Sequence, residues 1–341
     1  HTGPIAQDIV KAVRSAPAHP GDMTPDDLAG YTARERPPVC GPYRTFMVCG
    51  MGPPSSGGIA LLQMLAFLEP HDLSGMKPLS LPAVHLFAEA GKLAYADRGL
   101  YLADPDKVPV PVTGLLDRAY LAERAKLIDP AKAMVKAVPG TPPVKQGWLW
   151  GSDGKDVLTG TSHLSIIDAQ GDAVGLTTTI EDGFGARQMV RGFLLNNELT
   201  DFAFQPVADG KPVANRVEGG KRPRSSMAPT MVLAKDGRLA MVAGSPGGSA
   251  IINYVAKTLT AVLDWQMDPQ LASSLPNFGS RNGPTELEKG TTIEALAPDL
   301  EKLGHSVKAL DLNSGIHAIV VTPYGLVGGA DPRREGIALG R

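Results

Sequence analysis

The 341-residue sequence predicts an α+β fold in which an antiparallel sheet is covered by helices. Three pairs of strand-like segments after residue 160 are each joined by a short turn, a pattern typical of antiparallel hairpins rather than of a doubly wound parallel sheet. Several segments, most of them before residue 145, carry apolar residues at helical spacing. Glycine and proline number 39 and 30 while aromatic residues make up only 5%, which favours tight turns over a helical bundle.

The composition excludes several classes of protein. Apolar residues make up 43% and charged residues 20%, as in an ordinary globular chain, so intrinsic disorder is not expected. The 33 basic and 35 acidic residues leave a net charge of −2, which gives no sign of a nucleic-acid or anionic-membrane partner. No apolar run approaches the roughly 20 residues of a membrane helix. The length allows one large domain or two ordinary ones.

The first 145 residues are predicted to be mainly helical, with one strand. Thr24 is a good N-cap for a helix that begins at Pro25, because its hydroxyl can accept a hydrogen bond from a free helical N–H group. The strand-like run Tyr43–Cys49 leads into a glycine-rich turn at 52–58 and then into an apolar helix. Helices are predicted at Ile5–Val13, from Pro25 onward, at Ile59–Leu68 and at Pro82–Asp97.

After an exposed connector at about residues 142–160, the pattern changes to hairpins and further helices. Short polar or glycine-containing segments supply the turns, as Asp236-Gly237 does in the second hairpin. The paired strands are His163–Ile167 with Ala173–Ile180, Met231–Ala234 with Leu239–Val242, and His317–Val321 with Leu326–Gly329. The helices are predicted at Ser249–Leu263, Pro269–Ser274 and Ile293–Leu303.

The cysteines and histidines offer little for metal chemistry. Cys40 and Cys49 are too few for a disulfide scaffold or a multi-cysteine zinc site, and two buried free thiols are favoured over a bridge across a hairpin. The seven histidines show no HExxH or similar ligand spacing. We therefore expect neither a metal nor another cofactor.

Two glycine-rich turns have the composition of anion-binding sites. The turn at 52–58 contains Ser55 and Ser56 but matches neither GxxxxGK[ST] nor GxSxG, so a rigid turn is the favoured interpretation. In the turn at 244–248, Gly247 and Gly248 precede a helix, where free N–H groups and the helix dipole converge and can form an oxyanion hole. Taken alone, this second turn also favours a structural role.

A hydroxyl residue follows glycine where the connector meets the first strand of the C-terminal region. Thr161 after Gly160 is the arrangement needed by enzymes that cut their own chain and use the new N-terminal residue as nucleophile, with its α-amine as base. The dipeptide alone is too common to indicate this chemistry. A triad of Ser162, His163 and Asp168 is weaker, because adjacent strand residues point to opposite faces.

Two polar clusters suit the charged groups of a small substrate. Glu198 and Asp201 follow a strand-like run and could bind an ammonium group or a cation. Ca²⁺ is the rival ligand, although two acids without further oxygen-rich spacing support it poorly. Ser225 and Ser226 offer hydroxyls to a carboxylate, and the alternative interpretation of their segment is a solvated basic loop.

Taken together and in this order, these motifs closely resemble the gamma-glutamyltransferase family of N-terminal nucleophile hydrolases. The resemblance covers nearly the whole chain, and the set is far more specific than any one motif. The matching segments are PPSSGG at 53–58, TSH at 161–163, LTTTI at 176–180 with Phe184-Gly185, GFLLNNE at 192–198 with Asp201-Phe202, KRP at 221–223 with SSM at 225–227, GSPGG at 244–248 and DPR at 331–333.

The resemblance implies a four-layer αββα sandwich and a self-processed enzyme. Residues 1–160 would be the end of the large subunit and residues 161–341 the small subunit, with the N-terminal part of the large subunit missing from this chain. Thr161 would be the nucleophile, freed by autocleavage after Gly160, and Thr179 would orient its hydroxyl. Gly247 and Gly248 would supply the oxyanion-hole N–H groups.

The same resemblance implies a small gamma-glutamyl substrate, such as glutathione, with water or an amino-acid or peptide amine as acceptor. Glu198 and Asp201 would hold the α-amino group of the donor, and Ser225 and Ser226 its α-carboxylate. This assignment is chemically consistent, because acids meet the cation and hydroxyls meet the anion. A periplasmic or secreted location is expected from the resemblance alone.

Three features depart from the family pattern. The family's arginine for the substrate α-carboxylate belongs to the missing N-terminal part, so no residue of this chain is predicted for that role. Glu181 stands where the family has an asparagine among the α-amino ligands, and either it turns away or the preferred donor differs. The lid segment from Phe202 to Gly220 is short, which would leave the cleft open to water and favour hydrolysis. The last two features fit a subgroup similar to cephalosporin acylases.

Two alternatives stay open at this point. The first is an acylase that acts on glutaryl-type or other side-chain amides. The second, from a different class, is an uncleaved, inactive homologue that serves as a binding or structural module, because the sequence runs continuously through residues 160 and 161. Against the second alternative, Thr161, Thr179, Gly247 and Gly248 are all present.

Overall fold

The computed structural model describes residues 1–143, 150–153 and 160–340, so most of the predicted connector at about 142–160 lies outside the described residues. Over residues 1–143 the elements are α1 (Pro4–Arg14), α2 (Pro25–Ala29), β1 (Val39–Tyr43), β2 (Phe46–Gly50), α3 (Gly57–Leu68), α4 (Leu81–Tyr101), α5 (Val112–Leu115) and α6 (Arg118–Ala125).

Residues 160–340 contain most of the strands. They are β3 (Gly160–Ile167), β4 (Ala173–Glu181), β5 (Met189–Val190), β6 (Phe193–Leu194), β7 (Val207–Ala208), β8 (Lys211–Pro212), β9 (Thr230–Leu233), β10 (Leu239–Gly244), β11 (Phe278–Ser280), β12 (Thr285–Glu288), β13 (Val307–Leu310), β14 (His317–Thr322) and β15 (Gly325–Ala330). The helices are α7 (Ile251–Leu263), α8 (Pro269–Ser274) and α9 (Ala297–Lys302), with 3₁₀ turns at Glu198–Asp201, Gly248–Ala250 and Thr292–Leu296.

A six-stranded antiparallel sheet with the order β1-β2-β9-β10-β14-β15 is the central layer. Helices α3 and α7 pack on one face of this sheet, and the β3–β4 hairpin packs on the other face against β10 and β14. Helices, sheet and hairpin therefore form successive layers. The predicted α+β class is confirmed, and the described chain forms part of the sandwich.

The central helices are buried because of their composition. Helix α3, with the sequence GGIALLQMLAFL, has no charged residue, and of its twelve residues only Ala66 is not fully buried. Helix α4 packs against α3 and buries charged side chains as well, among them Glu89, Lys92 and Arg98. No helix within the described residues is long and apolar enough to cross a membrane.

Several local predictions are confirmed. Thr24 caps α2 in a capping box with Asp27, and Pro25 occupies the first turn. All three predicted hairpins form, with β3 paired to β4, β9 to β10 and β14 to β15.

The prediction for the cysteines is wrong. The segment Tyr43–Cys49 is not one strand, because Arg44 adopts a positive φ of 53° and the chain turns back to form the β1–β2 hairpin. Cys40 and Cys49 are directly opposite in this hairpin, with their Cα atoms 4.1 Å apart, and they form a disulfide. A single strand from Tyr43 to Cys49 would leave Cys40 without a partner strand, whereas the hairpin places it opposite Cys49.

The sequence also misses a small mixed sheet of β11, β12 and β13, in which β12 and β13 are parallel. Its strands are only three or four residues long, too short for a clear alternating pattern. The predicted helix Ile293–Leu303 is divided into a 3₁₀ turn and α9. Pro298 lies at this division and has no N–H group with which to continue a helical hydrogen-bond ladder.

Candidate active site

Thr161 and Thr179 face each other across the β3–β4 hairpin. The Thr161 hydroxyl donates to Thr179 Oγ1 at 3.2 Å, and Thr179 Oγ1 donates to the Gly160 carbonyl oxygen at 2.8 Å. The backbone N–H of Glu181 also donates to Thr179 Oγ1, at 2.8 Å. The Thr179 hydroxyl thus links the side chain of Thr161 to the carbonyl group of the preceding peptide bond.

The alternation of strand β3 puts Ser162 and His163, two members of the less favoured Ser162, His163 and Asp168 triad, on opposite faces. Thr161 and His163 are buried on one face, whereas Ser162 is exposed on the other. His163 instead contacts Thr177 Oγ1 at 2.8 Å and Ser165 Oγ at 3.0 Å. Burial, with His317 nearby, lowers the pKa of His163 to about 4, so the ring is neutral at physiological pH.

One cleft brings together most of the predicted site residues. Its walls also contain residues that the sequence did not indicate, including two arginines. The lining residues are Arg98, Thr161, Thr179, Glu181, Glu198, Asp201, Arg224, Ser225, Ser226, Met227, Gly248, Ser249 and Ile251.

The acidic wall of the cleft holds three carboxylates. Glu198 and Asp201 begin and end a 3₁₀ turn, a spacing that brings their side chains to the same side. Burial, together with the charges of Asp201 and Glu181, raises the pKa of Glu198 to about 7. Glu181 is buried and accepts a short hydrogen bond from Asn197 Nδ2, yet it still lines the cleft rather than turning away.

Ser225 and Ser226 form the serine wall of the cleft, and the glycine-rich turn at 52–58 holds this wall in place. Ser56 donates through both its backbone N–H and its hydroxyl to the Ser225 carbonyl oxygen, at 2.8 and 2.6 Å. The Ser55 hydroxyl donates to the Met227 carbonyl oxygen at 2.5 Å. A Cβ atom on Gly57 would lie only 2.3 Å from that same oxygen, so glycine is needed for the close approach. The predicted rigid turn is therefore what the structure contains.

The turn at 244–248 joins strand β10 to the 3₁₀ turn before helix α7. Gly247 and Gly248 both have positive φ, 136° and 57°, and a Cβ atom on Gly247 would lie 2.4 Å from the Tyr254 ring. Gly248 lines the cleft directly. Gly247 comes immediately before it in the turn and is not itself among the residues that line the cleft. Gly160, the last of the predicted glycines, lies with Thr161 and Thr179 in an adjacent groove.

Arg98, which the motifs of the sequence did not indicate, reaches the cleft from helix α4. Its Nε donates to Ser56 Oγ at 2.8 Å, and its Nη2 donates to Ser226 Oγ at 2.6 Å. The sequence does show a charged residue in a largely apolar helix, which could have pointed to a buried functional cation. It does not show which side chains Arg98 contacts. Arg224, also in the cleft wall, forms an ion pair with Asp153 at 2.9 Å.

Across residues 1–143, 150–153 and 160–340, one group of side chains has its potential metal-ligand atoms close enough together to hold an ion. It consists of His85, Glu89 and His305, whose ligand atoms all lie within 4.8 Å of one another. It lies outside the cleft, and its members are bonded to one another and to their surroundings. His85 Nδ1 and His305 Nε2 are 2.7 Å apart, and the Lys92 ammonium donates to Glu89 at 2.8 Å. Within the same ranges, Glu181, Glu198 and Asp201 do not converge closely enough to form such a group.

Comparison with known proteins relates the chain to one family over its whole length. The family model described as gamma-glutamyltranspeptidase matches residues 1–341. The glutathione hydrolase proenzyme of Escherichia coli (strain K12) is 38% identical over 98% of this chain and 57% of its own length. The acylase ACY 1 proenzyme of Pseudomonas sp. (strain SE83) is 36% identical over 92% of this chain and 53% of its own length. The chain thus spans little more than half the length of these relatives.

A solved structure shares the fold of this chain. The structure of LmbA2991T421A superposes with a TM-score of 0.82 at 28% sequence identity. The match covers 100% of this chain and 63% of that protein.

Proposed function

The chain belongs to the gamma-glutamyltranspeptidase family, and from that membership we propose that the whole protein cuts its own chain before Thr161 and then cleaves gamma-glutamyl amide bonds. The observation that carries the proposal is the hydrogen-bond chain from Thr161 through Thr179 to the Gly160 carbonyl, at a cleft lined by both acids and serines. The similarity to glutathione hydrolases favours glutathione-like donors.

Self-cleavage begins when Thr161 Oγ1 attacks the carbonyl carbon of Gly160. The peptide C–N bond breaks, the hydroxyl proton passes to the released nitrogen, and an ester joins Gly160 to the Thr161 oxygen. Water then hydrolyses this ester, leaving a carboxylate on Gly160 and a free hydroxyl and α-amine on Thr161. The Thr179 hydroxyl, 2.8 Å from the Gly160 carbonyl oxygen, supports the first step by stabilising the negative charge that develops there.

The catalytic cycle repeats this chemistry on a substrate amide. The free α-amine of Thr161 takes the hydroxyl proton while Oγ1 attacks the γ-carbonyl carbon of the donor. The N–H groups of Gly247 and Gly248 stabilise the resulting oxyanion in this proposal, because free N–H groups and the helix dipole converge at the turn before a helix. The leaving amine departs with a proton, and the acyl-enzyme passes its glutamyl group to water or to an amino-acid or peptide amine.

The two walls of the cleft suit the two charges on the α-carbon of the donor. Glu198 and Asp201 hold the α-ammonium, and Ser225 and Ser226 donate to the α-carboxylate. Glu181 adds a third carboxylate near the ammonium, which favours donors with a full positive charge at that position. A short lid segment from Phe202 to Gly220 makes water the main acceptor, since the cleft stays open to solvent.

The missing N-terminal part of the large subunit completes the enzyme in this proposal. Four apolar side chains cover the outer face of the β3–β4 hairpin, and each is 40–53% exposed: Leu164, Ile166, Val174 and Leu176. Apolar faces of this kind are normally covered in a folded protein. The Cys40–Cys49 disulfide supports a periplasmic or secreted location, because disulfides persist in oxidising compartments.

The intact mass of the purified whole protein, beside a Thr161→Ala variant, tests self-cleavage. Two fragments, the smaller beginning at Thr161, are expected for the natural protein, and one uncut chain for the variant. An uncut chain in both would refute the mechanism and leave the alternative of an inactive binding or structural module.

An acylase is the second candidate, favoured by the similarity to acylase ACY 1. Turnover of a gamma-glutamyl anilide and of a glutaryl anilide separates the two, because only the first carries the α-amino group. We expect faster turnover of the gamma-glutamyl compound. Equal rates would show that the acidic wall does not select the α-ammonium and would favour the acylase.

A further inference from the structure

Arg98 is a buried cation with no direct ion pair among the described residues. It is 7% exposed and lines the cleft, and the carboxylates of Asp153 and Asp201 act on it only as more distant charges. Its neighbour Arg224, in contrast, is paired with Asp153 at 2.9 Å. An unpaired charge is costly to bury, so an anion that entered the cleft beside Arg98 would be stabilised.

Arg98 donates hydrogen bonds to two serines, which differ in where their own hydroxyl protons can go. Ser56 Oγ accepts from Arg98 Nε, and its own proton goes to the Ser225 carbonyl oxygen at 2.6 Å. Ser226 Oγ accepts from Arg98 Nη2 at 2.6 Å, and among the described residues no acceptor takes the proton of its hydroxyl. Because Ser226 lines the cleft, that proton is available to a ligand.

We propose that Arg98 makes the cleft selective for ligands that carry a carboxylate on the α-carbon, by fixing the Ser226 hydroxyl as a donor and by supplying positive charge behind it. This inference rests on the proposed function, in which Ser225 and Ser226 bind the α-carboxylate. Arg98 is a positioning residue here, because it acts on the ligand mainly through Ser226.

The charge state of Arg98 agrees with this role. Burial and the neighbouring Arg224 lower the pKa of its guanidinium to about 9, so it remains charged at neutral pH. Asp153 and Asp201 offset these two effects only in part, so a further anion in the cleft would be stabilised. The planar fork of arginine holds both serines at once, which a lysine ammonium does not reproduce.

Calorimetric binding of two simple ligands to the whole protein tests the proposal. Glutamate carries an α-carboxylate, whereas 4-aminobutyrate is the same molecule without it. We expect the natural protein to prefer glutamate, and Arg98→Met to lower that preference roughly ten- to a hundredfold, as for a lost hydrogen bond to a charged group. Arg98→Lys should lose a smaller part of it, and Ser226→Ala should lower it as well.

Arg238→Met is the matched control, because it makes the same change at an exposed arginine outside the cleft. It should leave the preference for glutamate unchanged. If Arg98→Met keeps the preference for glutamate over 4-aminobutyrate, because the affinities for both ligands stay the same or fall equally, the proposal is overturned. If Arg98→Met does not fold, an unchanged preference in Arg98→Lys would do the same.

The proposed function can fail separately. Selective glutamate binding without turnover of a gamma-glutamyl anilide would refute the enzyme proposal and leave the role of Arg98 supported. Turnover of that anilide by a protein that binds glutamate and 4-aminobutyrate equally well would refute the role of Arg98 and leave the enzyme proposal intact.

Discussion

The ionised form of Glu198 should destabilise the folded protein at alkaline pH. Burial, Asp201 and Glu181 raise the pKa of this carboxyl from 4.5 to about 7. Between these two pH values the folded protein holds a proton that the unfolded chain has lost, so stability falls as pH rises through this window. At 1.36 kcal/mol for each pH unit, the complete penalty above pH 7 is about 3 kcal/mol. Partial solvent exposure reduces this to about 2 kcal/mol.

Glu198→Gln removes the charge and keeps the shape of the side chain. In a Thr161→Ala background, which keeps the chain continuous, the free energy of unfolding in urea should be about 2 kcal/mol higher for the variant than for its parent at pH 8. At pH 4.5 the two should be nearly equal. Glu301→Gln, at an exposed position, is the control and should show no such pH-dependent gain. A gain of the same size at both pH values, or none at pH 8, would refute the electrostatic explanation.

Three further outcomes follow from other parts of the structure. Thr179→Val removes the hydroxyl that bonds to the Gly160 carbonyl, so self-cleavage, followed by mass spectrometry, should slow roughly 10- to 100-fold; Thr178→Val, on the exposed face, should not slow it. Burial lowers the pKa of His305 from 6.5 to about 3, so the unfolded chain binds its proton first, and stability should fall by about 1.4 kcal/mol per pH unit below 6.5; His305→Gln should flatten that decline. Gly57→Ala places a Cβ atom 2.3 Å from a carbonyl oxygen and should cost at least about 2 kcal/mol in thermal unfolding, with Gly219→Ala, which has open space, as control.

The sequence predicts the fold best where local chemistry determines it. Thr24 and Pro25 define the start of α2, and the apolar composition of α3 requires burial on all sides. The β1–β2 hairpin was missed because its turn depends on a positive φ at Arg44, a residue type with no special preference for that conformation. The strands of the small mixed sheet are too short to show a period, and their pairing is decided by tertiary contacts.

For the candidate site, too, the sequence predicts residues that belong to motifs and misses a residue whose role depends on tertiary packing. Residues in recognisable motifs, such as Thr161 and Gly248, lie at or beside the cleft. Their catalytic roles stay predictions. Arg98 was missed because its importance comes from the packing of α4 against the serine wall, and no local pattern in the sequence encodes that contact. Glu181 was recognised as a departure, but only the structure shows it buried and hydrogen-bonded to Asn197 while still lining the cleft.

The hydroxyl of Thr179 has only one proton, and this sets a direction for the hydrogen bonds around it. In the uncut chain that proton points to the Gly160 carbonyl, while Thr179 Oγ1 accepts from Thr161 and from the Glu181 N–H group. Departure of the Gly160 carboxylate would leave the Thr179 proton without its acceptor, and the hydroxyl could then rotate to donate to Thr161 instead. If the chain cuts itself before Thr161 as proposed, the same side chain would serve the Gly160 carbonyl before cleavage and the Thr161 hydroxyl after it, so cleavage itself would reverse the polarity of the pair.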